Sequence, residues 1–159
     1  MPNHANLVIR TFATADAPAV AALIATTMRR SNAADYPAER LEALIAYFTP
    51  EKLCQLATER QCLVALAAGR VVGTAAREAS ELLTFFVHPE AQGRGVGTRL
   101  LEGLEAGARR LGIPTLYVAA SLTGAAFYER RGYHRTGDLV PGTAGPHVAL
   151  TKALTDLAG

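Results

Sequence analysis

The chain has no tryptophan, two cysteines and two methionines. Its lysines are Lys52 and Lys152, so nearly all of its 16 basic residues are arginines. Each scarcity excludes something. Cys54 and Cys62 form no C-x-x-C pair, and two cysteines do not make a disulfide framework; a reduced, cytoplasmic protein is the expectation. No His, Cys or carboxylate cluster has metal-ligand spacing, so no metal is expected. Without a lysine behind its glycines the chain has no P-loop, G-x-x-x-x-G-K-[ST]. A net charge of +2 with no basic run gives no argument for nucleic acid. No apolar run approaches the ~18 residues of a membrane span. The opening Met1-Pro-Asn-His-Ala-Asn6 lacks the charged start and apolar core of a signal peptide.

What is present is an ordinary globular composition, 50% apolar and 19% charged, over 159 residues. That suits one domain over 1–159, with its core about 7–153. The most informative stretch runs from Glu81 to Leu100. Leu82–Val87 is a short apolar and aromatic run with strand composition. Pro89 has no N–H and should end its pairing. Gly93, Gly95 and Gly97 follow, alternating with Arg94 and Val96. From Val96 the period turns helical, with Leu100, Leu101, Leu104, Ala108 and Leu111 on one face and Gly112 and Pro114 as stop signals.

A glycine loop lets backbone approach a ligand with no Cβ in the way. The first N–H groups of the following helix have no internal partner and sit at the positive end of the helix dipole. A strand, a glycine loop and a helix start therefore make a phosphate site, to which Arg94 and Arg99 add cationic side chains. The dinucleotide fingerprint G-x-G-x-x-G fails, because Thr98 stands where its third glycine belongs.

Before this stretch, Leu7–Phe12 reads as a strand. Thr14 or Asp16 is placed to cap a helix through Ala17-Pro18 that ends near Arg30. A second helix is expected over Ala38–Phe48, and a short helical piece over Glu51–Ala57. Gln61–Ala67 and Arg70–Arg77 read as a hairpin about Ala68-Gly69, and Glu78–Glu81 as a second turn. After the loop helix come a strand, Thr115–Ala120, and a helix, Gly124–Arg131, capped by Ser121 or Thr123 and closed by Gly132. Arg135–Leu139, a turn at Pro141–Pro146 and His147–Lys152 complete a terminal hairpin.

Two motifs carry a family resemblance. Gln92, Gly95 and Gly97 match Q-x-x-G-x-G after a strand ending Val87-His88-Pro89. Phe127, Tyr128, Gly132 and Tyr133 match A-x-x-F-Y-x-x-x-G-[FY], with Gly124 in place of the usual alanine. Together they resemble the GNAT N-acetyltransferase superfamily over nearly the whole chain. The resemblance implies an α/β (α+β) fold: a mixed, mostly antiparallel central sheet flanked by helices, splayed to form an acyl-CoA cleft between Leu82–Val87 and Thr115–Ala120. It implies acetyl-CoA as cosubstrate and an amine of a small molecule or peptide as acceptor. A homodimer is allowed; nucleic acid and membrane are not expected. The alternative is a catalytically silent acyl-CoA-binding or regulatory module of the same fold.

The resemblance also implies the site. Backbone groups of Phe85, Phe86 and Val87 would pair with the pantetheine arm, and the Val87 N–H would donate to the thioester oxygen. Gln92, Gly93, Arg94, Gly95, Val96, Gly97 and Thr98 would hold the pyrophosphate. Ser121 stands at a position that contacts pantetheine, and Tyr128 at the position of the general acid. Glu81, with Glu78 behind it, is the candidate base acting through water. Strand alternation puts Glu81 on the face of Leu83, Phe85 and Val87 if no bulge intervenes. His88 reads as a strand-end histidine and Phe127 as core. Arg29, Arg30, Asp35, Tyr36, Tyr47 and the turn at Gly142–His147 are where an acceptor pocket would form.

Overall fold

The computed structural model describes residues 6–142 and 145–154, with backbone alone at 138–142 and 145–146. The first five residues and the tip of the expected 141–146 turn lie outside the described residues. Seven strands form one sheet: β1 (Leu7–Thr11), β2 (Gln61–Ala67), β3 (Arg70–Glu78), β4 (Glu81–Val87), β5 (Thr115–Ala120), β6 (His134–Gly142) and β7 (Gly145–Ala153). Their spatial order is β1-β2-β3-β4-β5-β7-β6. All pairs are antiparallel except β4–β5. The helices are α1 (Ala17–Ser31), α2 (Ala38–Tyr47), α3 (Pro50–Ala57), α4 (Val96–Arg110) and α5 (Ala125–Glu129). No helix of the described residues is long and apolar enough to cross a membrane.

The β2–β3 turn is built as its residues dictate. Ala68 and Gly69 both take positive φ, 51° and 77°, the geometry that matches the twist of a two-residue hairpin. The sheet then has two apolar faces to cover. On one, α4 buries Leu100, Leu104 and Ala108 against Leu63, Ala75, Leu116 and Leu150. On the other, α1, α2 and α3 bury Val20, Ile24, Leu41 and Leu53 against Val64.

Four expectations fail locally, each for a visible reason. Leu111 does not join the buried stripe of α4: it is the C-cap, the chain reverses at Gly112 with φ 73°, and the side chain is 70% exposed. Neither Thr14 nor Asp16 caps α1 with its side chain. A 3-10 turn, Thr14–Asp16, runs directly into α1. The Asp16 carboxylate instead accepts the Arg10 guanidinium at 2.8 and 2.9 Å and the Ala13 N–H at 2.8 Å. α5 runs only Ala125–Glu129, short of Gly124–Arg131: after it the chain tightens into three-residue turns, with the Arg131 N–H on Tyr128 O at 2.9 Å and the Gly132 N–H on Glu129 O at 3.2 Å, and before it Ser121 Oγ accepts the Gly124 N–H at 3.1 Å. The Thr123 hydroxyl donates instead to Asp35, at 2.7 Å.

The fourth is the alternation of β4. Ala76 opposes Leu83, but Thr74 opposes Phe86, so β4 carries one extra residue there. Thr84 takes φ 48°, rare for a β-branched side chain. A bulge reverses the alternation beyond it. Leu82, Phe85 and Val87 therefore pack with the α4 core, while Phe86 packs with the α1–α2 core. Glu81 shares a face with Leu83 and Phe86, not with Phe85 and Val87.

Candidate active site

β4 and β5 are register partners at Glu81 and Tyr117, and the Tyr117 N–H bonds Ser80 O at 2.8 Å. Beyond that point the strands part. The gap is a cleft of about 1040 Å³, lined by β4, β5, β7, the glycine loop, α5 and the chain between α1 and α3. Backbone that pairs with no neighbouring strand because of the splay faces it. The His88 N–H bonds Val72 O at 2.8 Å, which puts Val87 at the alternate position, with its N–H and C=O turned away from β3. Phe85, two residues back, turns the same way.

The glycine loop closes one end. Gly95 has φ 84° and forms the N-cap of α4, and a Cβ there would meet no atom within 4 Å, so the loop is open toward the cleft. Gly97 serves a different purpose: a Cβ there would come 2.8 Å from the Phe127 ring, so glycine lets α4 and α5 meet. Gln92 braces the loop, donating to Val87 O at 3.0 Å and Ser31 Oγ at 3.2 Å.

Tyr128, on α5, lines the cleft between the two strands. It is 6% exposed, with its ring edge-on to Phe85, Phe127 and Tyr133 at 5.8, 5.1 and 5.6 Å between centres. Its hydroxyl bonds no other residue among those described, yet no fully buried side-chain oxygen there lacks a partner. The hydroxyl therefore reaches the cleft it lines. Burial pushes the phenol far above its ordinary value, so the group is a neutral donor at any physiological pH.

Of the residues named from sequence, Phe85, Phe86, Val87, Gln92, Gly93, Gly95, Gly97, Thr98, Ser121 and Tyr128 line the cleft. The side chains of Arg94 and Val96 do not, and Val96 is core. Arg99 does not face the loop either: it donates to Leu7 O at 2.9 Å. Glu81 lines the cleft at the apex where β4 pairs with β5, and Tyr36, Tyr47 and His147 line it as well, with Tyr36 and His147 toward the C-terminal end of β5. Asp35 accepts from Thr123 there, whereas Arg29 and Arg30 pair with Glu42 and Glu90 on the surface. His88 Nδ1 accepts the Glu90 N–H at 3.1 Å, as a strand-end residue. Phe127, expected in the core, is half-buried and lines the cleft.

Sequence reasoning missed two arginines. Arg131 lies flat on Phe127, 3.8 Å from the ring centre, donating to Thr98 Oγ1 at 2.9 Å and Phe127 O at 2.7 Å. Burial, and after it the charge of Arg130, lowers its pKa from the usual guanidinium value. A nearby anion would relieve both. Arg60 lines the far end, beside Glu78 and Thr84. Arg131 occupies a variable position of its motif and Arg60 precedes a strand, so neither carried a signal. Among the described residues no group of three His, Cys, Asp or Glu could hold a metal ion.

The sequence profile of the acetyltransferase (GNAT) domain matches residues 32–153. A GCN5-related N-acetyltransferase from Rhodopseudomonas palustris superposes with a TM-score of 0.83 at 30% identity, over 92% of this chain and 94% of that one. The PaiA N-acetyltransferase of Thermoplasma acidophilum, solved with coenzyme A, superposes at 0.80 with 20% identity, over 92% and 98%. Ard1 of Thermoplasma volcanium superposes at 0.75 with 18% identity, over 95% and 99%. No curated protein sequence matches the chain.

Proposed function

The chain belongs to the GNAT acetyltransferase family, and from that premise we propose that it moves an acetyl group from acetyl-CoA to a primary amine by direct attack in a ternary complex. The observation that carries the reading is the Tyr128 hydroxyl, neutral and turned into a cleft whose other wall offers the outward backbone of Phe85 and Val87. The cleft fits the coenzyme. Gly93, Gly95 and the first N–H groups of α4 take the pyrophosphate, Arg131 adds a cation beside them, and β4 supplies strand-like pairing for the pantetheine arm.

The thioester supplies the acetyl group: the amine nitrogen bonds its carbon, and the carbon–sulfur bond breaks. Glu81, at the acceptor end, takes the amine proton through water. Tyr128 packs on Phe85 at 5.8 Å between ring centres, so we place the donor to the thioester oxygen at the outward N–H of Phe85 rather than at the Val87 N–H that the family resemblance implied. Val87, closer to the loop, holds the pantetheine arm. Tyr128 donates a hydrogen bond to the departing thiolate. A simple thiol has a pKa of about 8.5, and burial drives the phenol well above 10, so complete proton transfer is uphill. The thiolate takes its proton from water after release.

The test is Tyr128→Phe. The variant should bind coenzyme A with unchanged affinity by calorimetry and transfer acetyl about 10²-fold more slowly at saturation. Weakened binding with unchanged saturated turnover contradicts the role. Coenzyme binding by the wild type with no transfer to any amine identifies a silent binding module.

A further inference from the structure

The acceptor end of the cleft has a definite chemistry. It opens on the α1–α2 side of the sheet, and its wall is aromatic. Tyr47 meets Phe48 edge-on at 5.0 Å, Phe48 meets Phe86 edge-on at 6.2 Å, and Tyr36 lines the rim. Such a wall favours a flat or bulky apolar body.

The charged side chains that line the cleft are Glu81, Arg60, Arg130 and Arg131, with Arg131 held on Thr98 beside the glycine loop. Among the described residues Glu81 is the only carboxylate that lines the cleft, and Arg60 is the cation at the same end. Several ammonium groups would find one carboxylate and meet Arg60, so a polyamine fits poorly. Arg60 is only partly engaged. Its side chain is 17% exposed, its Nε lies 3.5 Å from Glu78 and its Nη1 3.4 Å from Thr84 Oγ1, both long contacts. Its Nη2 makes no hydrogen bond among the described residues. A half-buried guanidinium with unspent donors is a fork for a carboxylate. Its position is specific: Thr84 is the bulge residue next to Phe85, where the thioester oxygen is placed. A carboxylate on Arg60 would hold an α-amino group beside that carbon.

We propose that the acceptor is an α-amino acid with a bulky apolar or aromatic side chain, whose carboxylate is bound by Arg60 and whose body lies on Phe48 and Phe86. This rests on the acetyltransferase reading and narrows it. The experiment incubates the full chain and acetyl-CoA with L-phenylalanine, L-leucine, phenethylamine and spermidine, reading the acetylated product by mass spectrometry and the rate by thiol release. Phenethylamine lacks only the carboxylate of phenylalanine. The amino acids should be acetylated with kcat/KM about 10–100-fold above phenethylamine, and spermidine should fail. Arg60→Gln should raise KM for phenylalanine, abolish its advantage over phenethylamine and leave coenzyme affinity unchanged.

Equal rates for phenylalanine and phenethylamine in the wild type would overturn the proposal, and that comparison needs no variant. So would an Arg60→Gln enzyme that loses all amines equally, or transfer to spermidine but to neither amino acid. In those cases coenzyme binding and transfer persist, and the acetyltransferase reading stands. A chain that fails to bind acetyl-CoA in calorimetry overturns both.

Discussion

Glu81 and Tyr117 face each other at the point where β4 and β5 pair, and the strands diverge from there. The residue at the apex of the cleft is thus also the one carboxylate among the described residues that lines it. The bulge at Thr84 puts the side chains of Glu81 and Phe85 on opposite faces of β4, and the Phe85 face packs against the α4 core.

Glu81→Gln keeps the shape and removes the proton acceptor. At neutral pH it should lower kcat/KM by about 10²-fold while coenzyme affinity stays the same. Steady-state rates with the best amine and a coenzyme titration check this together. A change of less than about threefold would mean that the amine proton leaves directly to bulk water.

Arg131 lies on Phe127 with Nε on Thr98 at the start of α4. A charge-assisted contact to phosphate contributes about 1.5–3 kcal/mol. Arg131→Met keeps the packing and should weaken coenzyme A binding by about 10–100-fold, with little change in affinity for pantetheine, which has no pyrophosphate. Equal losses for both ligands would show that Arg131 only supports Phe127.

Asp16 ties β1 to the start of α1. The hydrogen bonds from Arg10 come first among the influences that hold its carboxyl below the ordinary value; burial opposes them. A carboxyl depressed in the fold stabilises it above the unfolded pKa, about 3.9. That contribution disappears as pH falls through the folded value. Asp16→Asn should therefore cost about 1–3 kcal/mol in urea unfolding at pH 7, and the gap from wild type should narrow below about pH 4. A gap independent of pH would assign the effect to packing.

The elements were legible because each has a local cause: the apolar period of α4, the two-residue turn at Ala68-Gly69, the proline after β4. The cleft was legible only through two motifs, since the parting of β4 from β5 is a property of distant strands. The face of Glu81 was misjudged because alternation carries no mark of the extra residue at Thr84. Thr14 and Asp16 read as caps because their residue types suit that role; the partner that claims Asp16, Arg10, lies on another element. Arg60 and Arg131 were invisible because their roles depend on Thr84 and Phe127, neighbours that the fold supplies.

The central claim is that the glycine loop and the splayed strands hold acyl-CoA. Thermal unfolding of the full chain with acetyl-CoA, coenzyme A, NADH or ATP, one at a time, tests it most directly. A ligand at 100 times its Kd stabilises by about 2.7 kcal/mol, which at this size raises Tm by about 5–10 °C. A rise with acetyl-CoA and coenzyme A, absent with NADH and ATP, is the predicted result. No rise with either thioester or thiol, or a larger one with NADH or ATP, would contradict the account.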